Sequence, residues 1–165
     1  MENKIRIPAN QDEITLYCFL GEALIKMQHV EQALNCSITL KLNPAETMEK
    51  ADEFLKHRQS LTLGNAITLA SEKNLYSVAL HKELKDFLVQ RNWLVHKSVL
   101  DTQNGLNDSN KEELFNKIKS ISDKAEDIQH QIEYDMIDFC SARGKDMSET
   151  VALLNLQKQG VRIQG

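Results

Sequence analysis

Two segments decide most of what this chain can become. Between residues 12 and 42, Leu16, Leu20, Ala23, Met27, Val30 and Leu34 recur at steps of four and three, with Glu, Lys, Gln and Asn largely opposite. Between residues 110 and 140, Leu114, Ile118, Ile121, Ala125, Ile128, Ile132, Met136 and Phe139 step the same way. Side chains three and four apart share one face of a helix, so each segment predicts an amphipathic helix of roughly 30 residues. A helix that long must lay its apolar stripe against a partner, and two of matching length fit along one another. Strand patterning is absent. Six glycines and two prolines in 165 residues leave long helices uninterrupted and deny a many-turned β-fold its punctuation.

The segments between them read as shorter helices. Asn43-Pro44-Ala45-Glu46 places an N-cap, a first-turn proline and the returning acid of a capping box in order, so a second helix runs to about His57. A short third helix is expected over 61–73 and a fourth over 76–103, closed near Gly105. The polar loop NGLNDSN follows, with Ser109 and Glu112 at capping-box spacing to open the fifth. Ser141-Ala142-Arg143-Gly144 ends that helix, and 146–158 form a last one before a loose tail at 159–165. The expectation is one all-α domain over 1–165, an up-and-down bundle of four main helices plus a short extra one. Short connections fold the two long helices back on each other, which argues against an extended coiled-coil scaffold.

Composition narrows the function classes. Hydrophobic residues at 41% and charged residues at 27% are those of a soluble globular protein. No apolar run approaches the roughly 20 residues of a membrane span, and the N-terminus MENKIRIPANQDE lacks the apolar core of a signal peptide. A cytoplasmic protein without membrane contact is expected. Cys18, Cys36 and Cys140 are odd in number and widely spaced, which excludes a complete disulfide framework and any C-x-x-C motif; they read as buried thiols. The five histidines never stand at the i, i+4 spacing of a helical zinc site, so neither metal nor cofactor is expected. A net charge of −4 and a pI of 5.7 deny the chain a broad basic surface. Contact with nucleic acid must then be local.

The fourth helix carries the chemistry. With Arg91 at 0° and about 100° per residue, Leu80, Leu84, Phe87, Leu88, Leu94, Val95 and Val99 fall within about 80° of it. Arg91 therefore lies near the middle of the core-facing stripe, where an arginine needs an acid partner or a task. Asn92 and His96, four residues apart, border the stripe as neighbours. Val89, Trp93 and Leu100 form a second apolar patch just beyond His96, suited to a second copy of the chain, and Trp93 is the only tryptophan. A guanidinium can hold a phosphate as charge develops on it, and an imidazole can take a proton from a 2′-hydroxyl or give one to a leaving oxygen. An adjacent amide can orient either. That is a minimal metal-free kit for cutting RNA.

Arg91-Asn92-Trp93-Leu94-Val95-His96 fits R-x4-6-H with a polar residue directly after the arginine. On a late helix of a small all-α bundle it resembles the motif of the HEPN superfamily, the higher eukaryotes and prokaryotes nucleotide-binding domain. Thr62-Leu63-Gly64 also looks like segments of bacterial HEPN proteins. The resemblance implies a homodimer whose two motifs face each other across the interface as a composite, metal-independent endoribonuclease site. Arg91 and His96 would be catalytic, with Asn92 in support. It further implies a bacterial toxin or antiphage-defence effector, with an antitoxin or regulatory protein as partner. Gln90 departs from the pattern, since an acidic residue often precedes the arginine in relatives. Lys82, Lys85 and Lys97 would supply the RNA groove. The alternative is a catalytically inactive HEPN-like module that dimerises or binds a partner protein, with Arg91 in a buried ion pair.

Overall fold

The computed structural model describes residues 9–43, 61–98 and 110–160. Among these are five helices and no strand: α1 (Gln11–Leu42), α2 (Leu63–Glu72), α3 (Val78–His96), α4 (Lys111–Ser141) and α5 (Ser148–Lys158). The chain is an all-α bundle. The helix expected over 44–57, Leu100, Gly105 and Ser109 lie outside the described residues.

The helix ends follow local chemistry. Asn10 and Glu13 open α1 with a reciprocal capping box, each side chain accepting the other's N–H at 2.9 and 2.8 Å. Asn43, expected to open a following helix, closes this one, its N–H reaching the carbonyls of Thr39 and Leu40. Thr62 and Ser77 cap α2 and α3 through their hydroxyls. The N-cap of α4 is Asn110, without a side-chain bond, and Glu112 and Glu113 in the first turn meet the positive end of its dipole. Asn74 (φ 50°) ends α2 by taking the left-handed conformation, so that its N–H bonds Ser71 and that of Leu75 bonds Ala70. Gly144 (φ 79°) closes α4 with the same pair of bonds, to Ser141 from Gly144 and to Cys140 from Lys145.

The two long helices match as expected, at 32 and 31 residues. They run parallel, joined in rising order by Asp12–Lys111, Glu22–Ser122, Lys26–Glu126 and Lys41–Asp135. α3 runs the opposite way, with Glu83 against Lys124 and Gln131 and Trp93 under Lys117. α2 fills the space between α1 and α3. The core draws Leu16, Met27, Leu34 and Ile38 from α1, Leu63 and Ile67 from α2, Leu84 and Phe87 from α3, and Ile118, Ile128 and Ile132 from α4.

At the far end of the seam the pattern departs from expectation. Met136 and Phe139 are half-buried, and the Lys41 ammonium lies among aromatic rings there, 4.3 Å from Tyr76 and 5.7 Å from Phe139. Lys41 also pairs with Asp135 and donates to the Leu75 carbonyl at 2.7 Å, tying three elements together. Ile137, about 140° around the helix from Leu114, is buried instead, as is Leu154 of α5, both outside the main core cluster. The cysteines are not the buried thiols expected. Cys18 is exposed, since it lies opposite Leu16 on α1, while Cys36 and Cys140 are half-buried. Burial pushes the Cys36 thiol upward.

Candidate functional site

α3 presents the motif at its last turns. Leu80, Leu84, Phe87 and Leu94 are buried against α2 and α4, which fixes the helix's rotation. The covered stripe is narrower than the sequence suggests. Val95, expected in the core, is 38% exposed, and Leu88 is half-buried. Two neighbouring elements cover only part of α3, so residues at the stripe's edge stay wet. Arg91, placed mid-stripe by the sequence, keeps 26% of its side chain exposed. The helix runs to His96, with the Lys97 N–H on the Trp93 carbonyl at 2.8 Å, and residues 99–103 of the expected run lie outside the described residues.

Arg91 Nη2 donates to Glu31 Oε1 of α1 at 3.4 Å, and Nη1 donates to Asn92 Oδ1 at 3.4 Å. Both contacts are long for charge-assisted bonds, so the guanidinium is steered rather than locked. Glu31 was not singled out by the sequence. Its signal is an acid directly after Val30 at the rim of the α1 stripe. Asn92 and His96 are exposed, one helical turn apart. Gln90, just before the arginine, buries its side-chain carbonyl oxygen without a hydrogen bond among the described residues.

The remaining residues singled out by sequence fall in two places. Lys82, Lys85 and Lys97 are exposed. Lys82 and Lys85 line a cleft of about 330 Å³ at the α2–α3 junction, together with Ser71, Asn74, Tyr76, Val78 and His81. Burial, reinforced by Lys85, holds the His81 imidazole below its usual pKa. Lys85 and His96 lie about 16 Å apart along the axis and within about 20° in rotation, so the lysines, Asn92 and His96 share the outer face of α3. Val89 is 70% exposed on that face, whereas Trp93 packs against the core with the Lys117 ammonium 3.5 Å from its ring centre. The structure therefore brings Arg91, Asn92, His96 and the lysines onto one helix, and draws Trp93 inward.

Among the described residues no group of three or more His, Cys, Asp or Glu stands together as a metal site, and no helix is long and apolar enough to cross a membrane. Comparison with protein-family models, curated proteins and solved structures gives no match to this chain.

Proposed function

We propose that this chain is a HEPN-like, metal-independent endoribonuclease, a bacterial toxin or antiphage-defence effector, with a composite active site where the α3 helices of two copies meet. The observation that carries the reading is the grouping of Arg91, Asn92 and His96 at the open end of α3, with Asn92 in reach of the arginine and one turn from the histidine. In this mechanism His96 of one copy takes the proton of a 2′-hydroxyl, the 2′-oxygen attacks the adjacent phosphorus, and the bond to the 5′-oxygen breaks. The partner's His96, in its protonated form, returns a proton to that 5′-oxygen, leaving a 2′,3′-cyclic phosphate and a free 5′-hydroxyl. Arg91 holds the non-bridging oxygens as charge builds on them, and Asn92 orients the guanidinium. Lys82, Lys85 and Lys97 guide the RNA backbone, and an antitoxin or regulatory protein would act by covering this face.

A second reading is favoured by one contact. The Arg91–Glu31 pair joins α3 to α1, as a structural ion pair in a non-catalytic binding module would. The test is incubation of mixed RNA in EDTA with wild type, Arg91→Ala and His96→Ala, each shown folded by circular dichroism. The ribonuclease reading expects wild type alone to cut, leaving cyclic-phosphate ends. If nothing cuts while Arg91→Ala and Glu31→Gln each cost about 1 kcal/mol, as a part-exposed pair would, the second reading stands and the first is lost.

A further inference from the structure

The cleft at the α2–α3 junction is rich in hydrogen-bond donors and, among the described residues, has no acid in its lining. Ser71 comes from the last turn of α2, Asn74 from just past its end, Tyr76 from the connection, and His81, Lys82 and Lys85 from the first turns of α3. Lys82 and Lys85 are exposed, and neither has an ion pair among the described residues. Asp135, the acid felt by Tyr76, is already paired with Lys41. Two lone ammonium groups at one cleft repel each other while it is empty, and an anion between them turns that repulsion into attraction. In a chain of net charge −4, a cleft lined by cations and no carboxylate is a local exception.

His81 is a second, independent observation. Its Nδ1 and Nε2 are both buried, and neither meets a hydrogen-bond partner among the described residues. Buried polar atoms without partners are few in folded proteins, and each needs a reason. No described hydrogen bond holds this ring, so it can turn about χ2, a soft torsion in histidine, and bring a nitrogen to the cleft it lines.

Size and shape narrow the ligand. The cleft holds about 330 Å³, at the low end of the roughly 300–1,000 Å³ of small-molecule pockets. A tetrahedral anion points its oxygens in several directions at once, which suits donors arriving from α2, the connection and α3. The two oxygens of a carboxylate reach fewer of them. The N-terminus of α3 opens at the same place with no acid in its first turn, so the helix dipole adds to the attraction.

We infer that the cleft between α2 and α3 binds a phosphate group, with Lys82 and Lys85 supplying charge, Ser71 and Asn74 supplying donors, and His81 gaining the hydrogen bond its ring lacks. A phosphorylated small molecule and a nucleic-acid backbone both carry that group. The site lies about 22 Å along α3 from His96 and involves no cutting, so it stands whether or not the ribonuclease reading does. The experiment is titration of the full chain with inorganic phosphate at constant ionic strength, read by calorimetry and by the nitrogen and proton signals of the histidine rings. Wild type is compared with Lys85→Ala, His81→Gln and Lys97→Ala, each shown folded by circular dichroism. The expected result is one saturable site at which the His81 ring signals move more than those of His29 and His96. Its Kd should rise at least fivefold in Lys85→Ala and in His81→Gln, and less than twofold in Lys97→Ala. Lys85 is exposed, so its variant reads the site without disturbing the interior. A nucleoside 5′-monophosphate and a 5′-hydroxyl DNA oligonucleotide, which has no 2′-hydroxyl to attack, then separate the sources. Tighter binding of the monophosphate identifies a small phosphorylated ligand, and oligonucleotide binding displaced by inorganic phosphate identifies a backbone. Absence of saturation overturns the inference, as do His81 signals that stay fixed through the titration. Equal weakening by Lys97→Ala also overturns it, by reducing the effect to diffuse charge.

Discussion

His81 shows how one residue's surroundings set a property of the whole fold. Both ring nitrogens are buried and find no protein hydrogen-bond partner among the described residues. Burial opposes the imidazolium, and Lys85, four residues on, adds repulsion, so the folded chain takes up this proton at a lower pH than the unfolded chain does. The stability held by neutral His81 is complete above the unfolded imidazole value of about 6.5 and is lost as pH falls from there through the lowered folded value. Glu83 behaves in the same direction at lower pH. Lys124 and Gln131 hold its carboxyl below the usual range, so its contribution is present above about pH 4.5 and fades further down. Thermal melting followed from pH 7.5 to 5 should show a falling midpoint in wild type and a flatter line in His81→Phe. An unchanged slope in the variant would mean that His81 does not titrate differently on folding.

At the scale of helices, the α1–α4 seam holds the bundle, and its centre is dry. Ile128, fully buried in that seam, has no route to solvent if truncated. Ile128→Ala should therefore destabilise the fold by about 2–5 kcal/mol, whereas Val89→Ala on the exposed face of α3 should change it by less than about 0.5 kcal/mol. Chemical denaturation of the two variants checks the contrast. Much of this element layer is legible in the sequence, because it is written in period and in caps. The alternation of fours and threes marks both long helices, Thr62 lies just before a short apolar run, and Gly144 follows the last stripe residue. What period cannot report is how much of a helix its neighbours cover. Arg91 and Val95 lie on the core side of α3 by angle, yet both keep contact with water, since α2 and α4 shield only part of that helix. The same blindness hid the outer face of α1. Ile14, Tyr17 and Ile25 break no helical rule in sequence and become conspicuous only once no described residue is found on top of them. Glu31 was equally silent, because pairing across α1 and α3 depends on how the two helices cross rather than on spacing within either one.

For the molecule as a whole, charge is the quantity that separates the functional readings. The net charge of −4 repels a polyanion, so RNA can be held only where cations concentrate. The outer face of α3 gathers Lys82 and Lys85 near its start and Lys97 just past its end, with Arg91 at the rim, and the acids that oppose them are the exposed Asp86 and, paired with Arg91, Glu31. Four cations engaging single-stranded RNA would release counterions with a slope of about −3 in a plot of log affinity against log salt, taking about −0.7 for each. Binding of a labelled oligonucleotide to His96→Ala, which keeps the face and removes the proposed acid–base group, should show that slope. Lys85→Ala in the same background should reduce it by about 0.7. Measuring binding apart from cutting matters here, because a chain that binds and never cuts would keep the RNA face while giving up the catalytic role of His96. A slope near zero, or one indifferent to Lys85, would remove this face from any path of RNA and leave Arg91 to its bond with Glu31.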